Sequence, residues 1–345
     1  MMVLKALFLA ILEALKKGDD LVLCSIIASS GSTPRGIGAK MAVFADGTTM
    51  GTIGGGAIEF ESTKLAIKAL LEKKTLIKDY DLTTNDTADI GMICGGKVVV
   101  YFQFFRGGDE AALEITAYIN DLFDREVDTW LITNLGENQM RQLSIYEAGK
   151  GLLFGEDLSP DALKPFLKSR GVLKKDEPSY YVEPLTQTGT VYIFGGGHVA
   201  QELVPVISHV GFRAVVFEDR TEFASQALFK GVVGTIIGDF KAIDQSIQLT
   251  PNDYVVIMTR GHQADYEVLE QVMRRKVHYV GVIGSRHKKV LTFKRLMDAG
   301  ISEAALERIH SPIGMDIKGE TPAEIAISIA GELIRSRAEK NEVDL

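Results

Sequence analysis

TVYIFGGGHVAQELVPVI, residues 190–207, is the stretch on which the fold of this chain turns. Five β-favouring residues run into three glycines, and a helical pattern follows at once. Gly195, Gly197 and Ala200 fit G-x-G-x-x-A. In that pattern the first glycine permits the tight turn and the second lets backbone approach a phosphate. The small third residue lets helix and strand pack closely, and the free N–H groups of the helix start favour an anion. The next apolar run, RAVVFE, ends in Glu218-Asp219-Arg220, and Glu218 lies 23 residues after Gly195, a spacing suited to ribose hydroxyls.

Further apolar runs follow at 232–237, 253–259 and 277–284. Helical patterns are expected at 198–210, 221–230, 263–275 and 286–299. A last helix runs from Thr321, with Pro322 in its first turn, to about Arg337. Alternation of helices with nearly unbroken apolar strands predicts a doubly wound parallel sheet covered on both faces, a Rossmann-like α/β domain. Polar clusters stand just beyond several strands: Thr259 to His262 with Asp265, Ser285-Arg286-His287, and His310-Ser311-Pro312. Strand ends of an open parallel sheet face one crevice. An anion-binding cleft follows, with Gly195, Gly196, Gly197, His198, Glu218, Arg220, His262, Ser285 and Arg286 as its candidates.

Upstream the pattern changes. The polar segment KKDEPSYYVEPLTQTG reads as a linker. The expected division is an α+β domain over 1–175, a linker over 176–189 and the Rossmann-like domain over 190–345. A helix at 2–17 has Leu4, Leu7, Phe8, Ile11, Leu12 and Leu15 on one face; Glu13 interrupts its apolar stretch, so it reads as a core helix and not as a signal peptide. A strand at 20–29 and a hairpin turning at Asp46-Gly47 follow, then a helix from Ala57 to Lys73. Gly54-Gly55-Gly56 opens that helix, a second glycine turn and a second candidate anion site, with Glu59 in the first turn. The loop Ser29 to Arg35 offers hydroxyls and one guanidinium. Gly91 to Val98 approaches a phosphate-binding loop, but Val98 supplies no hydroxyl for magnesium and a strand follows where a helix is required. What remains is Cys94 beside Gly95, Gly96 and Lys97: a soft ligand and nucleophile next to a cation. Cys24, inside LVLCSII, reads as core.

Composition narrows the classes. The 345 residues are 46% hydrophobic with a net charge of -8, a balance that argues against nucleic-acid and anionic-membrane binding. No run reaches the roughly 20 apolar residues of a membrane span. Two cysteines make no disulfide framework, so a cytoplasmic setting is the expectation.

Taken together, SSGSTPRGIGAKM, DGTTMGTIGGGAIE, GMICGG, FGGGHVA, FEDR, TRGHQAD, GVIGSRHKK and HSPIGMDIKGETPAEIA resemble the family of xanthine dehydrogenase accessory proteins related to CoxI, over nearly the whole chain. The resemblance implies a cofactor chaperone rather than a free-standing enzyme. Such a protein binds molybdenum cofactor (molybdopterin), shelters it during sulfuration and passes it to an apo xanthine dehydrogenase-type enzyme. A cysteine desulfurase as second partner and a homodimer belong to the same expectation. Cys94 matches the family's CGG cysteine, the candidate to touch molybdenum or its sulfur, and Glu218 stands where an aspartate is usual. Arg35, Gly54, Gly55, Gly56, Glu59, Gly95 and Gly96 join the Rossmann residues as expected cofactor contacts. Two other classes fit the glycine turn: an NAD(P)-dependent oxidoreductase, and a non-catalytic nucleotide sensor or scaffold.

Overall fold

The computed structural model describes residues 2–82, 96–125, 127–136, 143–154, 159–168, 170–176, 178–186 and 189–343. The chain divides into two compact units, Met1–Gln187 and Thr188–Leu345.

The first unit is α+β. Helix α1 (Met2–Lys17) leads into β1 (Leu21–Ser30), β2 (Lys40–Phe44), β3 (Thr49–Gly51), α2 (Gly56–Glu72), β4 (Leu76–Asp81) and β5 (Lys97–Phe105). The five strands form one sheet in the order β3-β2-β1-β5-β4, antiparallel throughout. Helix α3 (Glu110–Leu122) is followed by β6 (Thr129–Asn134), β7 (Leu143–Glu147), β8 (Gly151–Leu153), the single turn α4 (Pro160–Leu163), β9 (Val172–Lys174) and β10 (Tyr180–Thr186). These strands make a second antiparallel sheet, β8-β7-β6-β10-β9.

Alternation along β1 sorts its side chains. Leu21 and Leu23 face a core shared with α1, α3 and the second sheet, where they meet Phe8, Ile11, Ile119, Leu131, Ile145 and Leu185. Val22, Cys24 and Ile26 face the opposite way, against Ile58, Ala66 and Ala69 of α2. Leu7, Phe8, Ile11 and Leu15 are all buried, as expected of a core helix, and each is worth roughly 1.5–3 kcal/mol of burial. Burial drives the pKa of the Cys24 thiol far above its usual range, so it stays an inert core group.

Half of the expected linker, 176–189, is strand. Residues 180–186 form β10, an interior strand of the second sheet with Tyr181 and Val182 fully buried. Pro184 is tolerated because the register to β6 shifts between Pro184 and Thr186, a bulge that spares a ladder hydrogen bond. The strand is hidden in the sequence by its proline and by Glu183, whose charge is matched only in the folded state.

The second unit is the expected parallel sheet. Strands β11 (Thr190–Phe194), β12 (Arg213–Glu218), β13 (Gly234–Ile237), β14 (Tyr254–Ile257), β15 (Tyr279–Val282) and β16 (Ile309–His310) lie in the order β13-β12-β11-β14-β15-β16, all parallel. This is the 3-2-1-4-5-6 order of a dinucleotide-binding sheet. Helices α5 (His198–His209) and α9 (Pro322–Val343) cover one face, where Val191 and Ile193 pack on Leu203, Val204, Ile329 and Leu333. Helices α6 (His262–Met273) and α7 (Arg286–Asp298), with the short α8 (Glu303–Leu306), accompany the other, where Phe194, Val255 and Ile257 meet Val268, Leu269 and Leu296. The helix expected over 221–230 is two 3-10 turns instead, Thr221–Phe223 and Gln226–Leu228. The Phe223 carbonyl and the Phe229 ring both lie against Gly196. Six residues apart, the two would fall on different faces of a 3.6-residue helix, so the segment bends to bring both to one turn.

Candidate functional site

The Rossmann unit gathers its polar residues at the carboxyl ends of the strands. Order reverses between β11 and β14, and there the two turns touch. A Cβ on Gly195 would stand 2.5 Å from the Met258 carbonyl and 2.9 Å from the Thr259 Cα. Gly196 is hemmed in more tightly still, with the Phe223 carbonyl directly against the place its Cβ would take. Gly197 differs: nothing lies within 4 Å of its missing Cβ, and it caps α5 with no side-chain hydrogen bond. Packing therefore explains two glycines and leaves the third opening on an uncapped helix start, which suits a phosphate. His198 is exposed in the first turn. At the neighbouring turn, Asp265 accepts from the Thr259 N–H (3.0 Å) and hydroxyl (2.6 Å), which leaves Gly261 and His262 exposed at the start of α6. Ser285 is exposed after β15, and Arg286 opens α7.

Glu218 ends β12 beside the glycine turn, where its spacing puts it, and its carboxylate is engaged there. It is 2% exposed, and its Oε2 accepts from the Gly196 N–H at 2.7 Å. Its Oε1 accepts from Arg220 Nε at 3.0 Å and from the Asp219 N–H at 3.3 Å. Burial would raise its pKa, but hydrogen bonds from Asp219, Gly196 and Arg220 outweigh this and hold the carboxyl below its ordinary range. The neighbouring Glu218 carboxylate raises the pKa of Asp219. Arg220 stacks its guanidinium 4.0 Å over the Phe223 ring.

His310 belongs to a different group at the edge strand. Its Nδ1 meets Glu332 Oε1 at 3.0 Å, while Glu332 Oε2 accepts from Tyr279 Oη at 2.7 Å and from the Gly314 N–H at 2.6 Å. Burial would raise the pKa of Glu332, yet the bonds from His310, Tyr279 and Gly314 bring it down to about 2. An ionised carboxylate can only accept, so His310 donates through Nδ1.

In the first unit three sequence motifs converge. A Cβ on Gly96 would lie 2.5 Å from the Ser30 carbonyl, 2.6 Å from the Ser32 carbonyl and 2.8 Å from Thr33 Cγ2. One on Gly54 would lie 2.9 Å from Pro34 Cβ. The hydroxyl-rich loop is thus seated on both glycine segments, with Arg35 exposed on it. Cys94 and Gly95 lie outside the described residues. Lys97 pairs with Asp81 at 3.1 Å. The turn Gly54-Gly55-Gly56 is satisfied from within: Glu59 Oε2 accepts from the Thr52 hydroxyl (2.5 Å), the Gly55 N–H (3.0 Å) and the Ile53 N–H (3.2 Å). Burial opposes ionisation of Glu59, but these donors hold its pKa below the ordinary value. Glu59 thereby fills the anion position the sequence assigned to this turn.

Behind the loop lies a pair that motif spacing does not reveal. Lys40 Nζ stands 2.5 Å from Glu183 Oε1, with side-chain exposures of 4% and 8%, and 3.0 Å from Ser25 Oγ. It bridges the two sheets of the unit beneath Gly38, whose missing Cβ would lie 3.6 Å from both Glu183 Oε2 and Tyr181 Oη. The signal available in the sequence is alternation along β2, which turns Lys40 to the same side as Ala42 and Phe44. Among the described residues, no group of three His, Cys, Asp or Glu could hold a metal ion, and no helix is long and apolar enough to cross a membrane.

Sheet order and glycine turn define the second unit as a Rossmann domain, joined to an antiparallel α+β unit. Residues 191–333 match the XdhC Rossmann domain and residues 14–81 match the XdhC and CoxI family. The chain belongs to the XdhC and CoxI family. It is 25% identical over 337 residues to a probable xanthine dehydrogenase component of Bacillus subtilis (strain 168), covering 96% of this chain and 97% of that protein. It is 22% identical over 335 residues to the molybdenum cofactor insertion chaperone PaoD of Escherichia coli (strain K12), covering 96% and 87%. Similarity to the uncharacterized protein YqeB of the same strain is 24% over 314 residues, 91% of this chain but 43% of YqeB, so the chain spans less than half of that relative. A crystal structure of a xanthine dehydrogenase from Bacillus halodurans shares the fold, with a TM-score of 0.76, 24% identity and 96% of each chain covered.

Proposed function

We propose that this protein is an accessory factor that binds molybdenum cofactor and delivers it, after sulfuration, to a xanthine dehydrogenase-type molybdenum hydroxylase. The observation that carries this reading is the convergence in the first unit, where Gly96 and Gly54 both seat the Ser30 to Arg35 loop. Cys94 stands two residues before Gly96 in the sequence. The residue types fit the cargo. A molybdopterin offers a phosphate, a polar pterin edge and a metal bound through sulfur. Arg35 supplies a cation, Ser29 to Thr33 supply hydroxyls, and a cysteine thiolate is a soft ligand for metal or sulfur. In this reading Cys94 contacts the molybdenum end of the cargo. Family membership and the relatives' names support the role. The apo-hydroxylase and a cysteine desulfurase are its partners, it works as a homodimer, and its setting is cytoplasmic.

The Rossmann unit takes a nucleotide phosphate at Gly195 to Gly197 in the same reading. Its support is the open space beside Gly197 at an uncapped helix start. The test is pterin co-purification from a host that makes molybdopterin, read by mass spectrometry and fluorescence after oxidation. Wild-type protein is expected to carry a pterin, and Cys94→Ala to carry several-fold less with an unchanged melting temperature. Equal retention by the variant would remove the role given to Cys94, and a wild-type protein without pterin would remove the carrier reading.

A further inference from the structure

We propose that Asp219, and not Glu218, is the residue that reads the ribose of a nucleotide held at the Gly195 to Gly197 turn, with Glu218 acting as a positioning residue that shapes the turn. The inference rests on the nucleotide reading above and goes beyond it in naming the specificity-determining side chain.

Spacing alone gives the ribose to Glu218, because it ends β12 at the expected distance from the glycines. Geometry turns its carboxylate away from that task. Glu218 is 2% exposed and three donors already converge on it: the Gly196 N–H, the Asp219 N–H and Arg220 Nε. The bond to Gly196 ties the end of β12 to the middle of the glycine turn. That bond spends one oxygen on backbone, and Arg220 and Asp219 occupy the other. A ribose diol would have to enter a buried and crowded carboxylate to be recognised there.

The next residue has what Glu218 lacks. The Asp219 side chain is 49% exposed, and its Oδ1 lies 3.6 Å from Arg220 Nε. Its carboxyl lies within hydrogen-bonding reach of the Glu218 carboxylate and is linked through Arg220 to the group that clamps the turn. An exposed carboxylate oxygen accepts from the ribose 2′-hydroxyl, a donor. Arg220 carries only donors and is engaged by both neighbouring acids and by the Phe223 face. It orients Asp219 rather than competing for the diol.

The two roles separate in a ligand pair that differs by one hydroxyl. ADP and 2′-deoxy-ADP present the same diphosphate to the turn, and only ADP has the 2′-hydroxyl. Isothermal titration calorimetry on the full chain gives the affinity ratio. Wild-type protein is expected to prefer ADP by about tenfold or more, the size of one hydrogen bond to a charged group. Asp219→Ala is expected to bring the ratio near one while leaving 2′-deoxy-ADP binding within about twofold. Glu218→Gln is expected to weaken both ligands together and keep the ratio, since it loosens the turn that both share. An Asp219→Ala protein that still prefers ADP, or a Glu218→Gln protein that alone loses the preference, overturns the assignment while the nucleotide reading stands. Wild-type protein that binds neither ligand removes both.

Discussion

Replacing Glu332 by Gln tests whether the buried carboxylate on α9 fastens the edge of the Rossmann sheet. Glutamine keeps the shape of the protonated acid and removes the charge. In the native protein His310, Tyr279 and the Gly314 N–H all donate to Glu332, and its pKa falls from the ordinary 4.5 to about 2. At about 1.4 kcal/mol for each pH unit, that displacement contributes about 3 kcal/mol of stability when the carboxylate is ionised in both states. The sign follows from the direction of the shift. Between pH 4.5 and 2 the unfolded chain binds the proton more tightly, so this stabilisation is complete above about pH 5 and is lost as pH falls toward 2. Scanning calorimetry of the full chain should therefore show Glu332→Gln lowering the Rossmann transition by about 6–12 °C at pH 7. The gap to wild type should shrink to about 1.4 kcal/mol at pH 3. A gap under about 1 kcal/mol at pH 7, or one that stays constant down to pH 3, refutes the reasoning.

Two further outcomes follow from packing. Lys40→Met strands a carboxylate in the interior and should cost about 3–5 kcal/mol in urea unfolding, whereas Lys40→Met with Glu183→Leu should recover most of it; no recovery would mean the pair is not the main partner of either charge. Gly197→Ala should fold and lose no more than about 1 kcal/mol, because its φ of -69° and open surroundings accept a Cβ although Ala is a poorer N-cap than Gly, yet it should lose ADP affinity, while Gly196→Ala should destabilise the fold more, through the Phe223 carbonyl. Equal stability of the two variants by calorimetry would contradict the packing described.

The parallel sheet was legible because its interior strands, above all β14 and β15, are buried on both faces and so read as unbroken apolar runs. The glycine turn was legible because Gly195 and Gly196 must be small whatever they bind. β10 was not, since Glu183 and Pro184 look like linker residues until Lys40 and a bulge account for them. The direction of the Glu218 side chain was equally hidden: spacing places a residue at a strand end, but the backbone hydrogen bond to Gly196 is a tertiary fact. Each motif of the first unit could be singled out alone. Their meeting, with Gly96 under Ser30 and Gly54 under Pro34, depends on strand order and not on local pattern.

The bridge between Lys40 and Glu183 also constrains how this sequence can drift. Either position changed alone leaves an unmatched charge sealed in a dry interior, and only a coordinated exchange of both escapes that fate. Across divergent lineages the two sites should therefore behave as one heritable character, altered in tandem or not at all, although 143 residues separate them along the chain.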